Sequence, residues 1–491
     1  MVIVGGGATG VAAFVALVRH RVAARIDIVD PLPVGTGRAF ATTSPALLCN
    51  TSVGIMSLVP GYPDDFLDHL LARGVPADRH AFVPRHHFSR YVRDRYVTYG
   101  VLHRRGGGAG GHVRGRASAV RRLPGGGYEV VLDDGRRVDA TDVLLCQGYA
   151  GPVVPGTLRP HLGREGLFLG PYPEGALLTA MPRTASRVLV LGSRLSAIDA
   201  ALLLCGAGHR VVMASPSGEL PAVRARTGSR PGPPLTADFA ALDFSGPRLE
   251  RQLVALVARA TSTVGAQRLR DQVTTSVDTV ERLRREIRLA ENGHTHWQDI
   301  LCAMVDAANQ VLPALDVPTR AAVLRRCAPL LRYLGAFPLG TARTLLGHME
   351  SGRLAVRRGV PVEVAPGPPW RAVWAGGAAE RFDAVVTAAG YGDPPLHTSG
   401  DHLHLDAPAR HRGPGTAPHI GEDLRVRFPA GPVPERIWTV GVTSSPRVPS
   451  INAVYPVVQQ ADTIARGWRD QATPVTVTTH RAASRAAASV R

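Results

Sequence analysis

Short apolar runs, each closed by small residues and followed by a longer apolar stretch, occur twice in this chain. Val2-Ile3-Val4 leads into Gly5-Gly6-Gly7-Ala8-Thr9-Gly10 and then Val11 to Val18. Val188-Leu189-Val190-Leu191 leads into Gly192-Ser193-Arg194-Leu195-Ser196-Ala197 and a second apolar stretch. A short apolar run bounded by glycine reads as a buried strand, and a longer one as a helix. The pattern therefore predicts two strand–turn–helix units. Tyr128 to Leu132 alternates and is followed by Asp133-Asp134-Gly135 and Arg136-Arg137-Val138, a predicted hairpin. Thr141 to Tyr149 reads as a buried strand ending in glycine, and Phe382 to Thr387 as a further strand. From about 235 to 350 the pattern is helical, with charged faces such as Glu281 to Glu286. The stretch 397–427 reads as loop, and 471–491 as a disordered basic tail.

Each unit carries the chemistry of a dinucleotide site. In the first, Gly5 makes the tight turn, Gly7 admits a pyrophosphate, and Gly10 lets helix pack on strand, with Ala8 and Thr9 between them. The helix N-terminus then faces the phosphates with unpaired N–H groups. Asp30 closes the next strand, where an acid accepts from ribose hydroxyls. The second unit is degenerate: Arg194 replaces the middle glycine and Ala197 the last, with Ser196 beside it. Arginine there either crowds a pyrophosphate or pairs with it. The acidic position is Ser215, followed by Arg224 and Arg226, which favours the 2′-phosphate of NADPH over NADH. A chain with two such units often holds a flavin and a nicotinamide, which points to redox chemistry. The expected class is α/β, with two Rossmann-like domains, for FAD and NADPH, and a helical insertion. The expected boundaries are 1–170 for the first part of the FAD domain, 171–374 for the nicotinamide domain with its insertion, and 375–470 for the second part of the FAD domain.

Composition narrows the chemistry. The 57 basic residues are all arginine, so Schiff-base and phosphate-loop lysines are excluded and anions meet planar, bidentate guanidinium. The net charge of +18 is spread among acids rather than clustered with aromatics, so nucleic acid is not expected as a partner. Five cysteines lack metal or redox-motif spacing, which suits a reducing cytoplasm. No apolar stretch reaches the roughly 18 residues of a membrane span, and the histidine pairs His86-His87 and His294/His296 lack a carboxylate at useful spacing, so neither membrane nor metal is expected. Arg38, Arg85 and Arg447 flank the flavin-side motifs and are candidates to clamp a substrate carboxylate.

Four blocks resemble the class B flavin monooxygenases, which include flavin-containing, Baeyer–Villiger and N-hydroxylating enzymes. They are the first glycine turn; Asn50-Thr51-Ser52 with Met56-Ser57, Pro63, Phe88 and Tyr91; the second unit with Ser196 and Asp199; and Phe382 to Tyr391, which is similar to an FDxVxxATGY signature. The layout is also similar to a group of bacterial FAD/NAD(P)-binding proteins with a comparable asparagine block and helical insertion.

The resemblance implies an FAD-dependent, NADPH-driven monooxygenase using molecular oxygen on a small polar substrate, with N-hydroxylation of an amine or amino acid as the leading chemistry. Asn50 aligns with an asparagine that supports a C4a-hydroperoxyflavin, with Arg447 as a second catalytic candidate. Cofactor contacts are expected from Arg38, Gly148, Asp383, Gly390, Tyr391, Gly441 and Asn452. The family's lysine is replaced near Val53, and its FxGxxxH fingerprint is absent from Leu167 to Tyr172. A flavin reductase or dehydrogenase, and a non-catalytic FAD-binding sensor or scaffold, remain the alternatives. Oligomerisation is left open.

Overall fold

The computed structural model describes residues 1–182, 184–226, 234–274, 276–406, 416–429, 433–449 and 453–472. Two parallel five-stranded sheets organise it. The first runs in the order 437–439, 143–145, 2–4, 27–30, 112–114, with Val2 opposite both Asp27 and Val143. Parallel sheets are covered on both faces, which is why their strands are continuous apolar runs rather than alternating ones. The helix Ala8–His20 is apolar around most of its circumference for the same reason. It packs against the helices Arg85–Arg105 and Val454–Ala472, so Val11, Val15, Ala16 and Leu17 are sealed from water. Removing that apolar area from water is the main force holding the first domain together.

The second sheet runs in the order 354–358, 210–215, 187–191, 384–387, 167–168. Both glycine units are thus strand–turn–helix elements at the carboxyl edge of a parallel sheet, as their patterns predict. Two expected boundaries move. Leu167–Phe168 pairs with Val385–Val386 in the second sheet, ahead of the boundary at 170. Ala384–Thr387 lies beside Arg187–Leu191 at the centre of that sheet, so the second part of the first domain does not begin at 375. It begins after that strand, and the chain rejoins the first sheet at Ile437–Thr439.

The predicted hairpin forms from Tyr128–Leu132 and Arg137–Ala140. It belongs to a five-stranded antiparallel sheet with Ala117–Arg122, His402–His404 and His397–Ser399. This corrects the reading of 397–427 as loop. His397, Leu403 and Leu405 are buried against that sheet, a partnership with residues far away that local turn signals hid. The helical segment forms as expected, with helices at Leu249–Val264, Thr279–Glu291, Leu301–Val311, Val317–Arg326 and Leu339–Glu350. It is tied to the second domain by Val223–Arg224, which pairs in parallel with Phe337–Pro338. The basic tail falls largely outside the described residues. Among the described residues no helix is long and apolar enough to cross a membrane.

Candidate functional site

The first glycine turn is sterically determined. Gly5 has φ +106°, and a Cβ there would sit 2.5 Å from the Cys146 carbonyl oxygen. A Cβ on Gly10 would come within 1.8 Å of the Gly5 oxygen. Gly7 faces another glycine: its nearest neighbour to a built Cβ is the Gly37 Cα at 3.4 Å. The helix that follows has no side-chain cap and no acid in its first turn, so its free N–H groups are left for an anion. Asp30 accepts from the Gly6 N–H and the Leu32 N–H, each at 2.7 Å, which fixes its carboxylate at the mouth of the turn. From across the sheet Gly441 (φ +66°) approaches Thr9 so closely that a Cβ would lie 2.9 Å from it. The Gly441 N–H is held by Gln460 at 2.7 Å, and Thr443 donates to the Gln147 carbonyl, placing Gly148 at the same edge with open space before it. Arg38 donates to the Ala150 carbonyl at 2.5 Å and lies over the Tyr391 ring. The turn, Asp30 and these loops are a cradle that fits a dinucleotide.

The second turn opens onto a cavity of about 1050 Å³. Gly192 has φ +139°, and a Cβ there would lie 2.2 Å from the Ala388 oxygen. Ala197 is fully buried in its helix, so the missing third glycine costs nothing here. Arg194 is exposed at the cavity wall beside Ser196, and so stands clear of the turn rather than filling it. The helix Leu195–Gly206 has no side-chain cap and no acid in its first turn. Gly390 and Tyr391 line the same cavity, as do Thr51 and Ile55 from the Asn50 segment and Tyr149 from the first sheet's edge. Asn50 itself is half-buried.

Several expected site residues are engaged by other parts of the protein. Ser215 lines the cavity, but its hydroxyl is shared with Ser193 at 2.7 Å and receives the Gly218 N–H at 3.0 Å. Arg226 is bidentate to Asp299, which also lies 3.5 Å from His296, giving that histidine the carboxylate its spacing hid. Arg224 lines the same cavity as the second turn, and its guanidinium donates to the carbonyls of Asn50 (2.8 Å), Tyr333 (3.2 Å) and Leu334 (2.8 Å). Burial pulls its pKa down to about 10. Asp383 precedes its strand and accepts from the Arg187 N–H at 2.7 Å, at the end of the second sheet away from both Gly192 and the cavity. It ties strands together and is not placed to hold a cofactor. Arg447 pairs with Glu422 at 3.0 Å in a separate cleft with Trp438 and Gln460. Arg85 is buried against Asp199 at 2.6 Å and the Tyr172 hydroxyl at 2.9 Å, so it clamps the two domains and no substrate. Asn452 lies outside the described residues.

The Arg85–Asp199–Tyr172 clamp and the Arg224–Asn50 bond were not legible in the sequence, because each joins elements more than a hundred positions apart. The Asp199 of the third block was visible as a motif residue, but nothing local named its partner. Nearby, the Tyr455 hydroxyl donates to the Cys302 carbonyl at 3.3 Å, and burial pushes the Cys302 thiol up to about 11. That thiol stays protonated and is no nucleophile at neutral pH.

Residues 2–150 match a protein-family model described as FAD-NAD(P)-binding. Over nearly its whole length the chain is similar in fold to solved flavoprotein structures. One solved structure with this fold is the ornithine hydroxylase of Pseudomonas aeruginosa, 15% identical, with a TM-score of 0.58 over 96% of this chain and 98% of that one. The ornithine N-hydroxylase of Kutzneria sp. 744 is also 15% identical, with a TM-score of 0.58 over 96% and 99%. The L-lysine 6-monooxygenase of Pseudomonas syringae is 16% identical, with a TM-score of 0.50 over 96% and 99%. No curated protein sequence matches the chain.

Proposed function

We propose that this chain is an FAD-dependent, NADPH-driven monooxygenase that N-hydroxylates a small amine or amino acid. The observation that carries the reading is the shared cavity: the second nucleotide turn forms one wall, and the Asn50 segment and the edge of the first sheet form another. The ornithine and lysine monooxygenases of the same fold support the choice of amine chemistry. When bound, FAD supplies oxygen activation and NADPH the hydride, so the chain needs no ionisable nucleophile of its own.

The chain's residues would divide the remaining work. Gly5, Gly7, Ala8, Thr9, Gly10 and Asp30 would hold the FAD pyrophosphate and ribose, with Gly148 and Gly441 closing the site. Gly192, Ser196 and the exposed Arg194 would hold NADPH, with guanidinium meeting phosphate. Asn50 has an amide that both donates and accepts, and with its neighbour Thr51 lining the cavity it would orient oxygen and amine from the flavin side. Ile55, Leu301, Val305, Leu331 and Leu334 line the same space and exclude water.

The test is anaerobic reduction followed by air in the presence of an amine panel. NADPH should bleach the bound flavin, and hydroxylamine product should then appear in step with NADPH consumed. Bleaching that yields only peroxide with every amine would sink the proposal in favour of a reductase or oxidase. Within it, Asn50→Ala should retain FAD yet lower product per NADPH by about tenfold, roughly 1.4 kcal/mol at the transition state. Full coupling in that variant would remove Asn50 from the mechanism.

A further inference from the structure

Arg224 is 3% exposed, and its Nε has no hydrogen-bond partner. Its other nitrogens meet backbone carbonyls alone, and among the described residues no carboxylate pairs with it. Three other candidate arginines are neutralised: Arg85 by Asp199, Arg226 by Asp299 and Arg447 by Glu422. Arg320 is also buried and meets carbonyls, but it does not line this cavity. An ion taken out of water without a counter-ion is costly, and the cost is recovered when an opposite charge binds beside it. Among the described residues, the cavity that Arg224 lines holds one other arginine, Arg194 at the nucleotide turn, and no aspartate or glutamate. Two cations facing one acid-free space suit two separate anionic groups.

We propose that Arg224 anchors a substrate carboxylate, so that the molecule oxygenated here is an amino acid or related acid rather than a simple amine. The inference rests on the monooxygenase reading for the word substrate, while the anion site itself does not depend on it. The partners of Arg224 tie it to the flavin side and the insertion: they are Asn50 on the flavin side and Tyr333 and Leu334 at the end of the helical insertion. Leu334, Leu301 and Ile55 line the space with it, an apolar surface suited to an aliphatic chain between carboxylate and amine. A guanidinium matches a carboxylate through two parallel hydrogen bonds. Because the same guanidinium holds the Asn50 carbonyl, an acid bound there is fixed relative to the Asn50 segment.

The experiment uses the FAD-loaded protein, with butanoate and butylamine as matched probes at constant ionic strength. In the wild type, butanoate should raise the melting temperature saturably and shift the visible flavin bands, and butylamine should do neither. Arg224→Gln should weaken butanoate binding by about tenfold or more, and Arg224→Lys should restore part of it. A wild type that ignores butanoate, or a glutamine variant that binds it as well as wild type, overturns the proposal. So does a glutamine variant that keeps butanoate but no longer prefers NADP⁺ over NAD⁺, since Arg224 then serves the nucleotide 2′-phosphate. If the variant fails to fold, the contrast between the two probes in the wild type still decides. Butanoate binding without any oxygenated product would instead sink the activity reading and leave the anion site standing.

Discussion

The two nucleotide units share one local plan but are built to different tolerances. In the first, two glycines are required by hard contacts: a Cβ on Gly10 would lie 1.8 Å, and one on Gly5 2.5 Å, from a backbone oxygen. In the second, Gly192 alone is held this way, while alanine packs at 197 and arginine stands exposed at 194. The helices differ as well. Both are fixed by apolar packing, but only Leu195–Gly206 carries a buried acid, Asp199, which the buried Arg85 grips from the other domain. Both turns are pressed against a neighbouring strand, Gly5 against the Cys146 carbonyl and Gly192 against the Ala388 carbonyl. The second helix carries an ion pair between domains in addition to its apolar packing.

The comparison can be broken most severely at Gly10. Gly10→Ala drives a methyl into a backbone oxygen that cannot retreat, and should cost more than the ~1–3 kcal/mol of ordinary overpacking. The expected outcome is protein without yellow flavin, or no folded protein. Full FAD content by absorbance would show that the turn is not the closed structure described. The next largest effect is Arg85→Met, which strands the buried Asp199 and should cost about 3–5 kcal/mol in chemical denaturation. Arg85→Met combined with Asp199→Leu should recover most of that loss. A double variant as unstable as the single one would mean that the clamp is not what positions the second helix.

Arg194→Ala should raise the KM for NADPH by about tenfold, near 1.4 kcal/mol, with the flavin retained. An unchanged KM would place the nucleotide phosphates away from this arginine. The smallest effect is expected from Ala197→Gly, which restores the third glycine of the pattern. It should destabilise by at most ~1 kcal/mol, through backbone entropy within a helix, with no gain in nucleotide affinity. A gain would mean that the second turn is strained by its alanine.

The sequence by itself determined the two turns, their sheets and the helical insertion. Glycine where no Cβ fits, and apolar runs where both faces are covered, are constraints that act over a few residues. Asp30 was legible on the same grounds, since it ends the strand that follows the first helix. The antiparallel strands at 397–404 were missed because their alternation is short and their partners lie near residue 120. The arginines show the limit most clearly. With every basic residue an arginine, composition gave no means of ranking them. Arg85, Arg226 and Arg447 meet acids, while Arg224 meets only carbonyls. Whether a guanidinium is neutralised or left charged inside the protein depends on which distant segments fold around it. That pairing is a property of the tertiary structure, because charge acts through space and the acid that answers it need not be near in the chain.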